Sequence, residues 1–513
     1  MALTCPLEST CAPLAWLIPD VAMLVSILTL FFCLFLFSGT TKLFRDSDSG
    51  WHIRTGEAIL DGRELPRTDP YSLLRNGQPW FAWEWGSDAA VGVAHRMDGL
   101  SGVALLYGVA IAACTWLWFR LHWAVGGNFL FACGMATLMI STADLHWLAR
   151  PHVFSWVLML GAIWWAESMR EVNWKTGVCI GLFGTLWANL HASFLLAPVI
   201  GVVYAVARLL RPLIWKLDRT AEWRLARFLA IASACALAGS FANPYGWRLH
   251  QHVLAYLGNR ELLDRIGEFQ SFNFRSEGAT QILLTVGVAA IGGVLALGQK
   301  KLAHFLLSAM LIALALRSAR GLPLVALALL PFANGAITDA LRDSEGLQPK
   351  LRRAIKDFLD YSANLRRIDA KWNGWALVPL VLLFTFAVLH TPVVLATTGF
   401  PPDEFPVAAA TQIEKLPSNI RLLAPDKFGG YLIYRFNGSR RVYFDGRSDF
   451  YGVDYMKSYL RLIEVRPGWE QLLDEVKFTH ALLPNRYSLI PALQHLGWKR
   501  LYSDNVATLL EKP

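Results

Sequence analysis

Eleven apolar runs leave this 513-residue chain few folds to choose from; they lie near 19–38, 100–119, 127–142, 152–168, 176–189, 192–210, 228–242, 279–297, 302–316, 321–337 and 374–397. Crossing a bilayer takes roughly 20 apolar residues in a helix, fewer where protein surrounds the ends. In hydrocarbon each peptide group must be satisfied inside the protein, which a helix does within its own segment. The chain therefore reads as an α-helical polytopic membrane protein with about eleven transmembrane helices. Composition agrees: 54% of residues are hydrophobic and 17% charged, where soluble domains carry about a quarter charged. No basic n-region or small-residue cleavage site marks the N-terminus, so residues 21–38 are expected to stay as a first helix. The seven cysteines show no CxxC or Cys/His spacing and indicate neither a zinc site nor a disulfide framework.

A net charge of +9 does not point to nucleic acid here, because Lys and Arg gather in short segments between apolar runs. Three such segments hold Arg208 to Arg227, Lys300–Lys301, and the stretch from Arg342 to Lys371. With eleven helices all three fall on one side, which the positive-inside rule makes cytoplasmic. The N-terminus is then inside and the C-terminal part outside. The basic stretch 338–373 reads as an amphipathic helix on the cytoplasmic surface, drawn to anionic membrane lipid. The first loop, 39–99, resists the rule: it carries Lys42, Arg45, Arg54, Arg63, Arg67 and Arg75, yet parity places it outside. Either a helix is miscounted, or these cations bind something anionic.

Parity also brings the short polar strings to the outer face. These are Asp144 to His146, Arg150 with His152, Asn189 with His191, Asn243 to Gly246, and Arg317 with Arg320. Ionisable groups at membrane depth usually mark a functional cavity; interfacial capping is the other reading of each. In the first loop, Asp46 and Asp48 stand two apart just beyond a helix end. They can share a divalent cation such as Mg or Mn, or one can act as general base toward a hydroxyl. An Asp-Ser-Asp-Ser-Gly string is equally the composition of a turn and helix N-cap. His52 adds a proton-transfer group, and Arg54 a fork suited to phosphate. A short helix is expected over 55–60 and a turn over 66–71. Glu84 sits in an aromatic cluster, residues 80–85, that suits either a sugar or an interfacial belt.

Asp48…Trp51-His52…Arg54, following a first helix and opening a long outer loop, resembles the first-loop motif of the C-superfamily of membrane glycosyltransferases (GT-C), archaeal oligosaccharyltransferases included. The chain also resembles a large group of bacterial integral membrane proteins. That likeness runs through residues 50–57, 66–70, 84–85, 150–152, 187–191, 429–433 and 444–449. The GT-C resemblance implies a polyprenyl-phosphate-linked sugar donor entering from the outer leaflet. It also implies that Asp48 or Asp46 serves as catalytic base or metal ligand. Two departures stand out: Ser49 replaces the Pro of the archaeal motif, and no WWD-type motif occurs in the C-terminal part. The resemblance therefore does not extend to transfer onto protein Asn.

From residue 399 the composition turns polar, marking a small extracytoplasmic α/β domain (399–513) after a transmembrane domain (1–398). Strands are expected at 421–423, 431–436, 441–444, 481–483 and 507–511, with helices at 454–465, 468–476 and 489–496. Asp445-Gly446-Arg447-Ser448-Asp449 reads as a turn with an internal Asp–Arg pair, or as a polar loop facing the membrane domain. Taken together, the expectation is a glycosyltransferase of the bacterial inner membrane. Asp48 or Asp46 would be catalytic. His52, Arg54, Glu84, His146, Arg150, His152, Asn189, His191, Arg317 and Arg320 would bind substrate. A lipid-linked saccharide flippase is one rival, although no internal repeat is evident. A non-catalytic scaffold with an outer binding domain is the other.

Overall fold

The structure, a computed structural model, describes residues 15–62, 64–343 and 346–513; Cys5 and Cys11 lie outside them. Each of the eleven apolar runs falls on a helix. The first seven such helices are α1 (Val21–Phe35), α3 (Trp85–Ala124), α4 (Phe129–Ala143), α5 (His152–Ser168), α6 (Trp174–Leu190), α7 (Leu196–Trp215) and α8 (Arg219–Ser240). The other four are Ala279–Gly298, Leu302–Arg317, the composite Ala319–Arg342, and Leu377–Leu389. Among the described residues, five helices are long and apolar enough to cross a membrane: Trp85–Ala124, Phe129–His146, Ala192–Trp215, Ala279–Gly298 and Ala319–Arg342. Polar caps set where several of the runs become helical. Asp20 accepts from the Met23 amide at 2.8 Å, Asn128 from Phe131 at 3.1 Å and Asn173 from Thr176 at 3.0 Å, each satisfying a first-turn N–H.

Small residues bring the helices close, as expected where lipid is as apolar as the side chains. A Cβ at Gly239 would lie 1.8 Å from the Gly181 carbonyl, and one at Gly184 would lie 2.1 Å from that of Ala236, so α6 and α8 cross backbone to backbone. The composite helix Ala319–Arg342 contains a π-turn at Val325–Leu329. There the Trp118 indole N–H donates to the Ala326 carbonyl at 3.1 Å.

Between α1 and α3 lies α2 (Asp48–Gly62), which starts seven residues before the helix expected over 55–60. The cause is local: Asp46 Oδ1 accepts the Asp48 amide at 2.9 Å, so the acidic string caps a helix that continues through Trp51 and His52. The turn expected at 66–71 is present, with Asp69 accepting the amides of Tyr71 and Ser72 at 3.2 and 2.8 Å.

Beyond residue 399 the chain forms a four-stranded sheet in the order β1-β2-β4-β3. In it β1 (Leu422–Leu423) is parallel to β2 (His480–Pro484), which is antiparallel to β4 (Ala507–Glu511), as β4 is to β3 (Lys499–Ser503). Two expected strands are absent. Residues 431–435 belong to the helix Asp426–Arg435, and 441–444 contribute only an isolated bridge from Val442 to Ser72. The aromatic and β-branched run at 431–436 suits a strand, but tertiary packing overrides propensity. Gly430 lies against α2, where a Cβ would come 2.1 Å from the Ser47 carbonyl.

Candidate active site

Arg150, in the turn before α5, gathers three carboxylates from two segments distant in sequence. Its Nη1 lies 2.8 Å from both Asp46 Oδ2 and Glu268 Oε1, and its Nη2 lies 2.9 Å from Asp48 Oδ2. Glu268 is held in turn by Arg320, whose Nε donates at 2.6 Å and whose guanidinium lies over the Phe269 ring at 4.5 Å. Ser49 Oγ donates to the Ala149 carbonyl at 3.0 Å and fixes the start of α2 against this turn. Burial raises the Asp48 carboxyl to about 7; Arg150 pulls it down, while Asp46, Glu268 and Asp445 push it up. Glu268 goes the other way. Burial would raise it, but Arg320 and Arg150 hold it well below the usual carboxylate range. A carboxyl that changes charge near neutrality beside one held ionised is an acid–base arrangement.

One helical turn after Asp48, His52 is fully enclosed, with Nδ1 2.6 Å from Asp88 Oδ1 and Nε2 3.8 Å from Glu84 Oε2. Glu84 Oε1 lies 3.3 Å from His191 Nε2. The His191 Nδ1 accepts the Ser193 amide at 3.2 Å, so the ring proton sits on Nε2 and faces Glu84. Burial pushes Glu84 up to about 8, His191 down to about 3, and His52 well below the usual imidazole range. Glu84 is therefore a carboxylic acid between two neutral imidazoles at neutral pH.

The remaining candidates divide. His152 Nε2 donates to the His146 carbonyl at 2.8 Å, and both histidines flank Arg150. Asn189 accepts from the Trp85 indole at 2.8 Å and donates to the Ala242 carbonyl at 3.0 Å, which ties three helix ends together. Arg317 is exposed, three residues before Arg320. Arg54 lies apart from the cluster. Its Nε and Nη2 donate to the Tyr434 carbonyl at 3.0 and 2.8 Å, its Nη1 pairs with Glu57, and its guanidinium lies over the Tyr434 ring. Much of the first loop's positive charge is similarly engaged: Lys42 pairs with Asp144, and Arg45 donates to the Asp144 and Leu145 carbonyls. Glu268 and Asp88 were missed in the sequence. Glu268 stands in a polar segment between two spans that parity had already put on the outer face, and that was the available signal. Asp88 carries no such signal, standing between the aromatic cluster at 80–85 and the apolar run at 100–119.

The polar loop at 445–449 is both things its sequence allowed. Arg447 pairs internally with Asp445 at 2.8 and 2.7 Å, and its Nη1 also lies 2.7 Å from Asp69 of the first loop. As for a metal, Asp46 and Asp48 both turn to the Arg150 guanidinium. Among the described residues no group of three or more His, Cys, Asp or Glu side chains is disposed to hold an ion. The cation that both carboxylates face is the Arg150 guanidinium.

No protein-family profile matches the chain, and no curated protein matches it by sequence. Solved structures do. The apo oligosaccharyltransferase of Archaeoglobus fulgidus is 12% identical, with 90% of this chain and 69% of that one covered at a TM-score of 0.53. ArnT from Cupriavidus metallidurans, bound to undecaprenyl phosphate, is 13% identical, with 95% and 97% covered at a TM-score of 0.42. The likeness to the first is one of fold. This chain has the GT-C-like fold: a polytopic helical membrane bundle with an α/β unit packed on one end.

Proposed function

We propose that the chain is a bacterial inner-membrane glycosyltransferase that moves a sugar from a polyprenyl-phosphate-linked donor to an acceptor hydroxyl. The observation that carries this reading is Asp48, a buried carboxyl raised to about 7 and held by Arg150 at the mouth of a membrane bundle. In the reaction the Asp48 carboxylate takes the acceptor O–H proton as the acceptor oxygen bonds to the sugar's anomeric carbon. The bond from that carbon to the phosphate oxygen breaks on the opposite face, so configuration inverts. The leaving phosphate needs positive charge more than an acid, and Arg320, with exposed Arg317 nearby, would supply it. Helix connectivity supports an extracytoplasmic site, because the basic turns at 215–219 and 298–302 close the opposite end of the bundle.

The test is sugar transfer by the full-length protein in lipid, offered polyprenyl-phosphate sugars. Asp48→Asn is expected to lower turnover by at least about 100-fold, the usual contribution of a positioned base. If Asp48→Asn and Asp46→Asn both turn over at the native rate, the proposal is wrong.

A further inference from the structure

Asp48 belongs to the first loop, but what it rests on belongs to the C-terminal part. A Cβ built on Gly446 would lie 1.9 Å from Asp48 Oδ1, 2.5 Å from its Cγ and 2.6 Å from Oδ2. The whole carboxylate is thus seated on the bare Cα of residue 446. The backbone does not require glycine here, since Gly446 is not among the residues of positive φ. Its conformation is open to any L-residue, which leaves space as the reason for glycine.

The neighbours of Gly446 cannot give way. Asp445 and Arg447 are buried and joined to each other, with Tyr451 Oη donating to Asp445 at 2.9 Å. On the other side α2 is pinned by its own close approach, since a Cβ on Gly50 would come 2.1 Å from the Gly430 carbonyl. Both walls are fixed, so an added methyl at 446 must displace the Asp48 side chain.

We propose that Gly446 is a positioning residue for Asp48, the C-terminal loop setting where the carboxylate stands against Arg150. Part of the site then lies in a segment about 400 residues away from Asp48. Only the name of Asp48's role rests on the glycosyl-transfer reading; the steric contact is independent of it.

The experiment is a double-mutant cycle on the full-length protein in lipid, read by thermal unfolding and by the pH dependence of carbodiimide labelling at Asp48. Gly446→Ala is expected to lower the melting temperature by several degrees in the native background. With Asp48→Ser the side chain is short enough to clear the methyl, and most of that loss disappears. With Asp46→Ser, which keeps a capping residue, the loss stays at its native size. Labelling of Asp48 in Gly446→Ala shifts its midpoint by roughly one pH unit, as its partners change. An equal stability loss in all three backgrounds, or an unmoved labelling midpoint, overturns the inference. Turnover separates the two claims. Coupling with a fully active Asp48→Asn keeps the positioning role and removes the reading of the reaction. No coupling with an inactive Asp48→Asn does the reverse.

Discussion

Around Arg150 the charges do not balance, and the imbalance is informative. Asp46, Asp48 and Glu268 set three carboxylates against the two guanidiniums of Arg150 and Arg320, leaving one negative charge in a buried site. Neutrality returns when one carboxyl takes a proton, and Asp48 is the one whose affinity is raised. On the proposed reaction, proton uptake by Asp48 would therefore make the site receptive to a departing phosphate. Glu84 offers a separate test of how burial tunes this region. Its folded value of about 8 lies above the roughly 4.3 of an exposed Glu. Between these values the folded state holds a proton that the unfolded state has released, so stability falls as pH rises through that window. Glu84→Gln removes the titration. The melting-temperature difference between the variant and the native protein should thus shift in the variant's favour from pH 5 to pH 9.

At the scale of elements, α2 carries both the legible and the illegible part of the site. Its residues were readable as a set, because Asp, His and Arg in one polar string beside an apolar run are rare. Its conformation was not: Asp-Ser-Asp-Ser-Gly suits a turn and a cap alike, and the Asp46 cap decided for a helix. Helical geometry then sends the string's members apart. Asp48 and His52, one turn apart, look into the bundle, while Arg54 leaves toward Tyr434. Sequence spacing alone grouped Arg54 with the others because it carries no direction. The same helix crosses α3 at glycine, where a Cβ on Gly56 would come 1.8 Å from the Asp88 carbonyl. Gly56→Ala forces that crossing open and should cost about 1–3 kcal/mol, the range for overpacking a fixed interior. Denaturant or thermal unfolding of the full-length protein checks it.

For the molecule as a whole, the eleven apolar helices and the change of composition at 399 were legible because period, length and polarity are local properties. The joint between the two parts was not, because it is made of pairs about 400 residues apart. Arg447 is its centre, enclosed between Asp445 and Asp69 with its guanidinium 4.7 Å from the Trp80 ring. Arg447→Ala strands two buried carboxylates and should cost about 3–5 kcal/mol. The expected readout is a melting transition lowered as a single step, with membrane bundle and sheet lost together. A last consequence lies in the helix Ala319–Arg342. The π-turn at Val325–Leu329 holds one residue more than a regular α-turn, and each residue turns a helix by roughly 100°. That extra residue acts as a phase shifter: it rotates the segment bearing Arg320 relative to Leu330–Arg342, so the azimuth at which this arginine meets Glu268 is set some two turns away, where Trp118 holds the offset in place.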